Sequence, residues 1–291
     1  MGSPEIDPTK WILRVDGLVE DPFTLSLPQL YELPSVTVTS FHECFGSPLQ
    51  PPVKNPWRIG NVTWTGVRLS TILAMATPLE PAKFVWTEGL DHGTFAGKYA
   101  DRYQKDLPME KAARPEVILA YKINGTPLRR ERGGPVRLIV PGWFGTNSTK
   151  WLCRITLREQ RAPSLYTTHW YNVRDPGTGA SKPVWDVEPN SLIVSPEPDA
   201  VLNGPLVSVD GWAWSHDGIA QVDVSFDKGE SWARAELEPR EDFSWQRYRV
   251  ELPVPPGKRR FTVRATSVSG VRQPLSGSRN HVHSISVEVL G

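Results

Sequence analysis

A chain of 291 residues has the length of about two domains and can bury a sizeable core. Its 33 Lys and Arg stand against 32 Asp and Glu, a formal charge of +1, which excludes a general attraction to nucleic acid or anionic membrane and confines any role for charge to local clusters. No apolar run approaches the ~20 residues of a membrane span, and two cysteines are too few for a disulfide framework.

In chain order, TKWILRVDGLV (9–19) alternates well enough to predict a strand. LSLPQLYELP (25–34) predicts a short helix with Leu27, Leu30 and Leu33 on one face and Pro34 closing it. A strand over 36–41 runs into FHECFGSPLQPP, which sets Cys44 between Glu43 and a Gly-Ser-Pro turn. GVRLSTILAMA (66–76) has Leu69, Ile72, Leu73 and Ala76 at helical spacing. FVWTEG (84–89) predicts a strand, and EVILAYKING (116–125) an apolar strand ending in an Asn124-Gly125 turn. PVRLIVPGWFG (135–145) and KWLCRITL (150–157) predict two more. Residues 158–190 show little periodicity and much Pro, Gly and Asp, an ordered connection long enough to carry site residues. The expected fold class of residues 1–190 is mixed α+β. From 191 to 291 the chain reads as period-2 strands, with Asp227-Lys228-Gly229-Glu230 as a hairpin turn. Regular turns and no helical stretch predict an immunoglobulin-like β-sandwich, without the Cys…Trp…Cys pattern of antibody domains.

Three places carry candidate chemistry. Cys44 reads either as a small buried hydrophobe, the common state of a free cysteine, or as a thiolate ligand at a strand end. Gly46 and Pro48 turn the chain there, and Lys54, Trp57 and Arg58 follow; positive charge favours the thiolate, the form that binds soft metals. His42 and Cys44 alone do not make a zinc site, which wants three or four ligands, and no C-x-x-C or H-x-x-x-H occurs. RRERGGPVRLIVPGWFGTNSTKW (129–151) reads either as a solvated charged hairpin or as an anion cradle, with Arg132, Arg137 and Lys150 around backbone N–H groups. Its glycine pattern is neither a Walker loop nor a dinucleotide fingerprint. Asp91, just after a strand end, is either a turn cap or an acceptor for a ligand's N–H groups. No G-x-S-x-G elbow is present.

Together these segments resemble the sulfite oxidase family of molybdopterin enzymes. IDPTKWILRVDGLVEDPFTLSLPQLYELP is similar to the family's opening segment, and PWRIGNVTWTGVRLSTIL to its W-R-x-G…W-x-G-x-x-L stretch. EGLD, EVILAYKINGTPL, GGPVRLIVPGWFG and TKWL follow in the family order, and GWAWSHDGIAQVDVSFDKGESW resembles its immunoglobulin-like dimerisation domain. The resemblance implies a molybdopterin domain over 1–190 and a dimerisation domain over 191–291. It implies molybdenum held by a pterin dithiolene, with Cys44 completing the sulfur set, so that no partner His or Cys is needed. Asp91, Arg132, Arg137 and Lys150, with the backbone of Ser148 and Thr149, would hold the pterin and its phosphate; Arg132 stands where many members have His. Tyr171 is the candidate for the family's active-site tyrosine. The implied reaction is oxygen-atom transfer on a small oxyanion, most simply sulfite to sulfate, with electrons leaving to a separate acceptor such as a cytochrome, since no haem domain is expected here.

The departures bear on substrate. Sulfite-oxidising members carry an arginine pair in a C-A-G-N-R-R pattern; here the residues are Cys44-Phe45-Gly46-Ser47-Pro48-Leu49. Gln246 stands where a further substrate-side arginine is expected, with Arg247 beside it. The family's upstream Arg-x-x-His segment has no counterpart among these residues. Losing guanidinium forks weakens recognition of a dianion, which leaves nitrate or sulfoxide reduction, or a non-catalytic assembly role, as alternatives. The opening Met1-Gly2-Ser3-Pro4 runs into Glu5 and Asp7 without an apolar leader, so the expected location is cytoplasmic, or periplasmic if a leader was removed.

Overall fold

The computed structural model describes residues 2–48, 57–175 and 177–291. The expectations placed on Lys54 and Leu49 lie outside the described residues. The chain divides into two units: residues up to Val38, His42–Phe45 and Val62–Trp185 form the first, and Thr39–Phe41, Gly46–Asn61 and Asp186–Gly291 the second. Strands dominate both, and helices are few and short.

In the first unit, β1 (Ile12–Gly17) buries Leu13 and Val15 on one face, as its alternation requires. β2 (Phe23–Ser26) returns beside it and leads into α1 (Leu27–Tyr31). The helix starts there because Ser26 and Gln29 cap it reciprocally: Gln29 N–H donates to Ser26 Oγ, and Ser26 N–H donates to Gln29 Oε1 at 2.8 Å. β3 (Ser35–Glu43) and β4 (Ile59–Arg68) follow, then α2 (Leu69–Ala76), whose Leu69, Ile72, Leu73 and Ala76 face the core. The helical spacing over 66–76 holds only from Leu69, because residues 66–68 stay extended and pair with β9, given below.

β5 (Phe84–Gly89) precedes a hairpin of β6 (Gly93–Phe95) and β7 (Lys98–Ala100), then β8 (Gln104–Pro108) and α3 (Met109–Ala112). β9 (Ile118–Ile123) turns at Asn124 and Gly125, both at positive φ, into β10 (Thr126–Pro127). β11 spans only Arg137–Ile139, because the chain turns at Pro141 and Gly142, the latter at φ +80°. β12 (Leu152–Arg158), α4 (Leu165–Thr168) and the hairpin of β13 (Asn172–Arg174) with β14 (Ser181–Pro183) complete the unit. One sheet runs β2-β1-β12-β5-β8, with β1 and β12 parallel; the other runs β10-β9-β4-β3, with β11 also on β9. Their shared core includes Leu13, Leu30, Ile72, Leu119 and Ile155, each fully buried, so truncating one to Ala costs about 2–5 kcal/mol.

The second unit contains β15 (Asn190–Ser195), β16 (Val201–Asn203), β17 (Leu206–Trp214), β18 (Ile219–Ser225), β19 (Ala233–Arg234), β20 (Glu236–Leu237), β21 (Gln246–Pro253), β22 (Gly257–Ser267) and β23 (His283–Leu290). They form sheets ordered β15-β17-β21-β20 and β16-β23-β22-β18-β19. Val207, Val209 and Ala213 point inward from β17 and meet Phe261, Val263 and Val287 of the other sheet in one apolar layer. The turn after β18 closes on Asp227, whose carboxylate accepts from Ser231 N–H at 2.9 Å, with Lys228 and Gly229 at positive φ. Among the described residues no helix is long and apolar enough to cross a membrane.

Candidate active site

Three segments of the first unit converge at the ends of their strands: the end of β3 with Cys44, the residues after β5 with Asp91, and the connection from Arg132 to Lys150. Two glycines let them approach. A Cβ on Gly89 would lie 2.5 Å from both Asp91 Oδ1 and Lys150 O, and one on Gly145 would lie 2.7 Å from His42 Nε2.

The cationic part of the site is built around Arg137. This guanidinium is 4% exposed and donates to Arg132 O at 3.0 Å and Ser148 O at 3.1 Å. It lies 5.2 Å from the Trp64 ring centroid. Burial, with the neighbouring charge of Arg132, pushes it down to about 10. Lys150 donates to Glu131 O at 2.9 Å, and burial beside Arg137 and Arg132 lowers its pKa too. Burial, then Arg137, Lys150 and Arg132, press the His42 imidazole down to about 3, so it stays neutral. Among the described residues none of Arg132, Arg137 and Lys150 forms a salt bridge, although other buried charges in this chain do. Asp91 is buried, and desolvation raises it to about 6, with Lys150 opposing.

Among the buried polar atoms without a hydrogen-bond partner, Arg137 Nε, Asp91 Oδ1 and Trp64 Nε1 lie at these groups, and others, such as Arg240 Nε and Arg264 Nε, belong to the second unit. Such atoms are costly to leave unsatisfied. A buried Arg137 with an unmet donor, beside the half-buried Lys150, the exposed Arg132 and the unmet acceptor of Asp91, fits an anionic heterocycle that carries N–H groups and a phosphate. Ser148 and Thr149 support this surface from behind. Ser148 N–H donates to Gly145 O, its hydroxyl oxygen accepts from Val140 N–H and its carbonyl accepts from Arg137; the Thr149 hydroxyl pairs with that of Thr87 at 2.7 Å.

The other part of the site surrounds Cys44. Its half-buried thiol follows β3 directly, and neither cysteine is in a disulfide. Phe45 meets Phe144 edge-on at 5.2 Å and Tyr171 at 6.4 Å. Tyr171 hydrogen-bonds Thr146; burial raises its pKa, and the nearby Cys44 adds to that. The structure thus brings Tyr171 to Cys44, although it lies 127 positions further along the chain. Tyr103 donates to the carbonyl of the same Thr146. Cys153 contrasts with Cys44. Its thiol points at Glu88 O at 3.4 Å, and burial pushes it up to about 11, so it stays protonated. Among the described residues no three His, Cys, Asp or Glu side chains cluster as metal ligands, which leaves Cys44 without a zinc-type set.

Gln246 belongs to the second unit. It is buried there, and its Oε1 accepts from Ile219 N–H at 2.8 Å and its Nε2 donates to Ile219 O and Glu238 O. All its capacity serves the sandwich. Arg247 pairs with Asp210 at 3.2 Å. Sequence reasoning passed over Tyr103, named Trp64 only within the W-x-G-x-x-L stretch and Thr146 only within the anion-cradle segment, and treated His42 only as a possible zinc ligand. No spacing marks Tyr103; a buried tyrosine reads as core until its polar atom is placed.

The family model of the oxidoreductase molybdopterin-binding domain matches residues 1–166, and that of the molybdenum-cofactor oxidoreductase dimerisation domain matches residues 181–286. The chain belongs to the sulfite oxidase family. Mitochondrial sulfite oxidase of Mus musculus is 31% identical over 288 residues, covering 89% of this chain and 52% of that protein. NADPH nitrate reductase of Aspergillus niger is 32% identical over 272 residues, covering 81% of this chain and 30% of its own length. The chain therefore spans about half the length of the sulfite oxidases it matches. The crystal structure of the sulfane dehydrogenase SoxCD from Paracoccus pantotrophus superposes with a TM-score of 0.86 at 27% identity, over 99% of this chain and 78% of that one.

Proposed function

We propose that this chain is a molybdenum-dependent oxidoreductase that transfers an oxygen atom on a small oxyanion, with sulfite to sulfate as the first choice and electrons passed to a separate acceptor. The observation that carries the reading is the Cys44 thiol in the same unit as a cation cluster without carboxylate partners, whose buried Arg137 keeps an unmet donor. When bound, the molybdenum–pterin group supplies the oxygen-atom transfer and the two-electron redox change. Cys44 would supply its protein sulfur. Arg132, Arg137 and Lys150 would take the phosphate, and Asp91 would accept from the pterin's N–H groups. Ser148 and Thr149 would hold the loop in place, and Tyr171, set by Thr146, would orient a substrate oxygen at the thiol.

On this reading residues 1–190 form the cofactor domain. Residues 191–291 form an immunoglobulin-like domain that joins two copies, in keeping with the dimerisation-domain match. The uncharged residues after Cys44, and the similarity to a nitrate reductase, support a second reading in which the same site reduces nitrate or a sulfoxide.

The test is molybdenum and pterin analysis of the protein from a cofactor-competent host, followed by sulfite-dependent reduction of an artificial one-electron acceptor. About one molybdenum per chain together with sulfite turnover is the expected result. Molybdenum without sulfite turnover moves the assignment to the second reading. Absence of molybdenum sinks both and leaves the non-catalytic assembly role.

A further inference from the structure

We propose that Lys105 is a positioning residue for the substrate: its ammonium, buried beneath the Tyr171 ring, sets that ring and supplies the positive potential that selects a small dianion at Cys44. The inference rests on the reading of Cys44 and Tyr171 as the reaction site, and it names the substrate class through a residue outside the family motifs quoted above.

Lysine at 1% exposure is unusual, because burying an ammonium costs several kcal/mol unless it is compensated. Here the compensation is small. Lys105 Nζ donates to Tyr166 O at 3.0 Å and lies 5.6 Å from the centroid of the Tyr171 ring. Both contacts are on the segment that follows β12, so one ammonium ties that segment to β8 from below. No carboxylate forms a salt bridge with it among the described residues. Asp106, its neighbour on β8, is taken bidentately by Arg161 at 2.8 and 3.1 Å and accepts from Ala162 N–H as well.

Of the other charged and titratable groups nearby, Asp91, whose charge acts on Tyr103 and Tyr166, keeps an unpartnered Oδ1, and the rest are committed elsewhere. Glu88 on β5 pairs with Arg102, Glu110 on α3 with Arg114, and Lys111 with Glu116. Tyr103 is bound to Thr146, and Tyr166 packs against Tyr103 at 4.4 Å. Lys105 is thus a cation without a salt-bridge partner among the described residues, set against the Tyr171 ring, in a chain whose residues 45–53 carry no charge. Burial presses it down to about 8, with Asp106 opposing, so its charge is lost at mildly alkaline pH.

The experiment uses the molybdenum-loaded protein with sulfate, which stays a dianion across the neutral and alkaline range, as a non-turnover probe measured by calorimetry. K105M keeps the stem and removes the charge. Its sulfate affinity should fall about tenfold, the size expected for a unit charge several ångströms from a dianion in a protein interior. KM for sulfite should rise by a similar factor, kcat should change less, and K105R should recover most of the loss. Wild-type sulfate affinity should itself fall as the pH rises through about 8; this titration needs no variant and decides the matter if K105M does not fold. Sulfate affinity that is unchanged in K105M, or flat from about pH 7 to 9 in the wild type, overturns the role of Lys105. Failure of the underlying reading shows separately, as absence of molybdenum.

Discussion

Two groups of buried charge in the first unit have opposite balance. On β1 and β12, Asp16 accepts from Arg14, Arg154 and Thr156, and near β8 Asp106 accepts from Arg161 and Ala162 N–H. These carboxylates are saturated, and that side of the sheet reads as finished structure. Around Arg137 no salt bridge joins Arg132, Arg137 or Lys150 among the described residues, Arg137 Nε is unmet, and burial displaces the pKa values of Arg137 and Lys150. A fold keeps such an imbalance only where something else completes it. The contrast separates charges that hold the protein together from charges that await a ligand, although each group has a buried member, Asp106 in one and Arg137 in the other.

The sharpest break of this comparison is between the two cysteines. Cys44→Ser should abolish turnover and leave the melting temperature close to wild type, since exchanging a small side chain for another leaves little cavity. Cys153→Ser should keep turnover, because that thiol is held protonated against Glu88 O. Wild-type rates in Cys44→Ser would contradict the ligand assignment.

Next comes stability. Asp106→Asn should destabilise by about 3 kcal/mol in urea titrations, because it unpairs the partly buried Arg161. Arg137→Met should leave the cofactor-free protein at least as stable while it loses molybdenum. Destabilisation of the cofactor-free protein by Arg137→Met, equal to that of Asp106→Asn, would erase the distinction.

Gln246→Ala should cost about 2 kcal/mol by removing three buried hydrogen bonds, with KM for sulfite unchanged. A raised KM in a well-folded variant would return Gln246 to the substrate.

The smallest expected effect is on pH dependence. Asp91 is raised from an ordinary carboxylate to about 6, so the folded state holds its proton more firmly than the unfolded chain does. Its contribution favours folding below about 4 and is lost as pH rises to 6, a change on the order of 2 kcal/mol. Asp91→Asn should flatten that part of the stability–pH curve in cofactor-free protein, measured by thermal melts; an unchanged curve would show that the carboxyl is not desolvated.

Much of the strand order was legible because apolar alternation and turn residues coincide, as in FVWTEG and in the Asn124-Gly125 turn. No element was read over residues 92–108. β6 and β7 have three residues each, too few for a period, and β8 buries a lysine, the type least expected inside. At the site, Cys44, Arg132, Arg137 and Lys150 stood out through type and family order. What sequence could not carry was which charges find partners. Asp106 and Asp91 look alike in the chain; only packing makes one saturated and the other not.

The absence of a side chain at Gly145 has a mechanical consequence. The cation-bearing loop rests on His42 with no space for even a methyl group between them, and His42 is two residues from the thiol. The two surfaces have no slack, so a displacement of the loop is transmitted directly to the strand that carries Cys44. A force applied at the phosphate end of the site would therefore be felt at sulfur through the contact of the Gly145 backbone with the buried His42 imidazole.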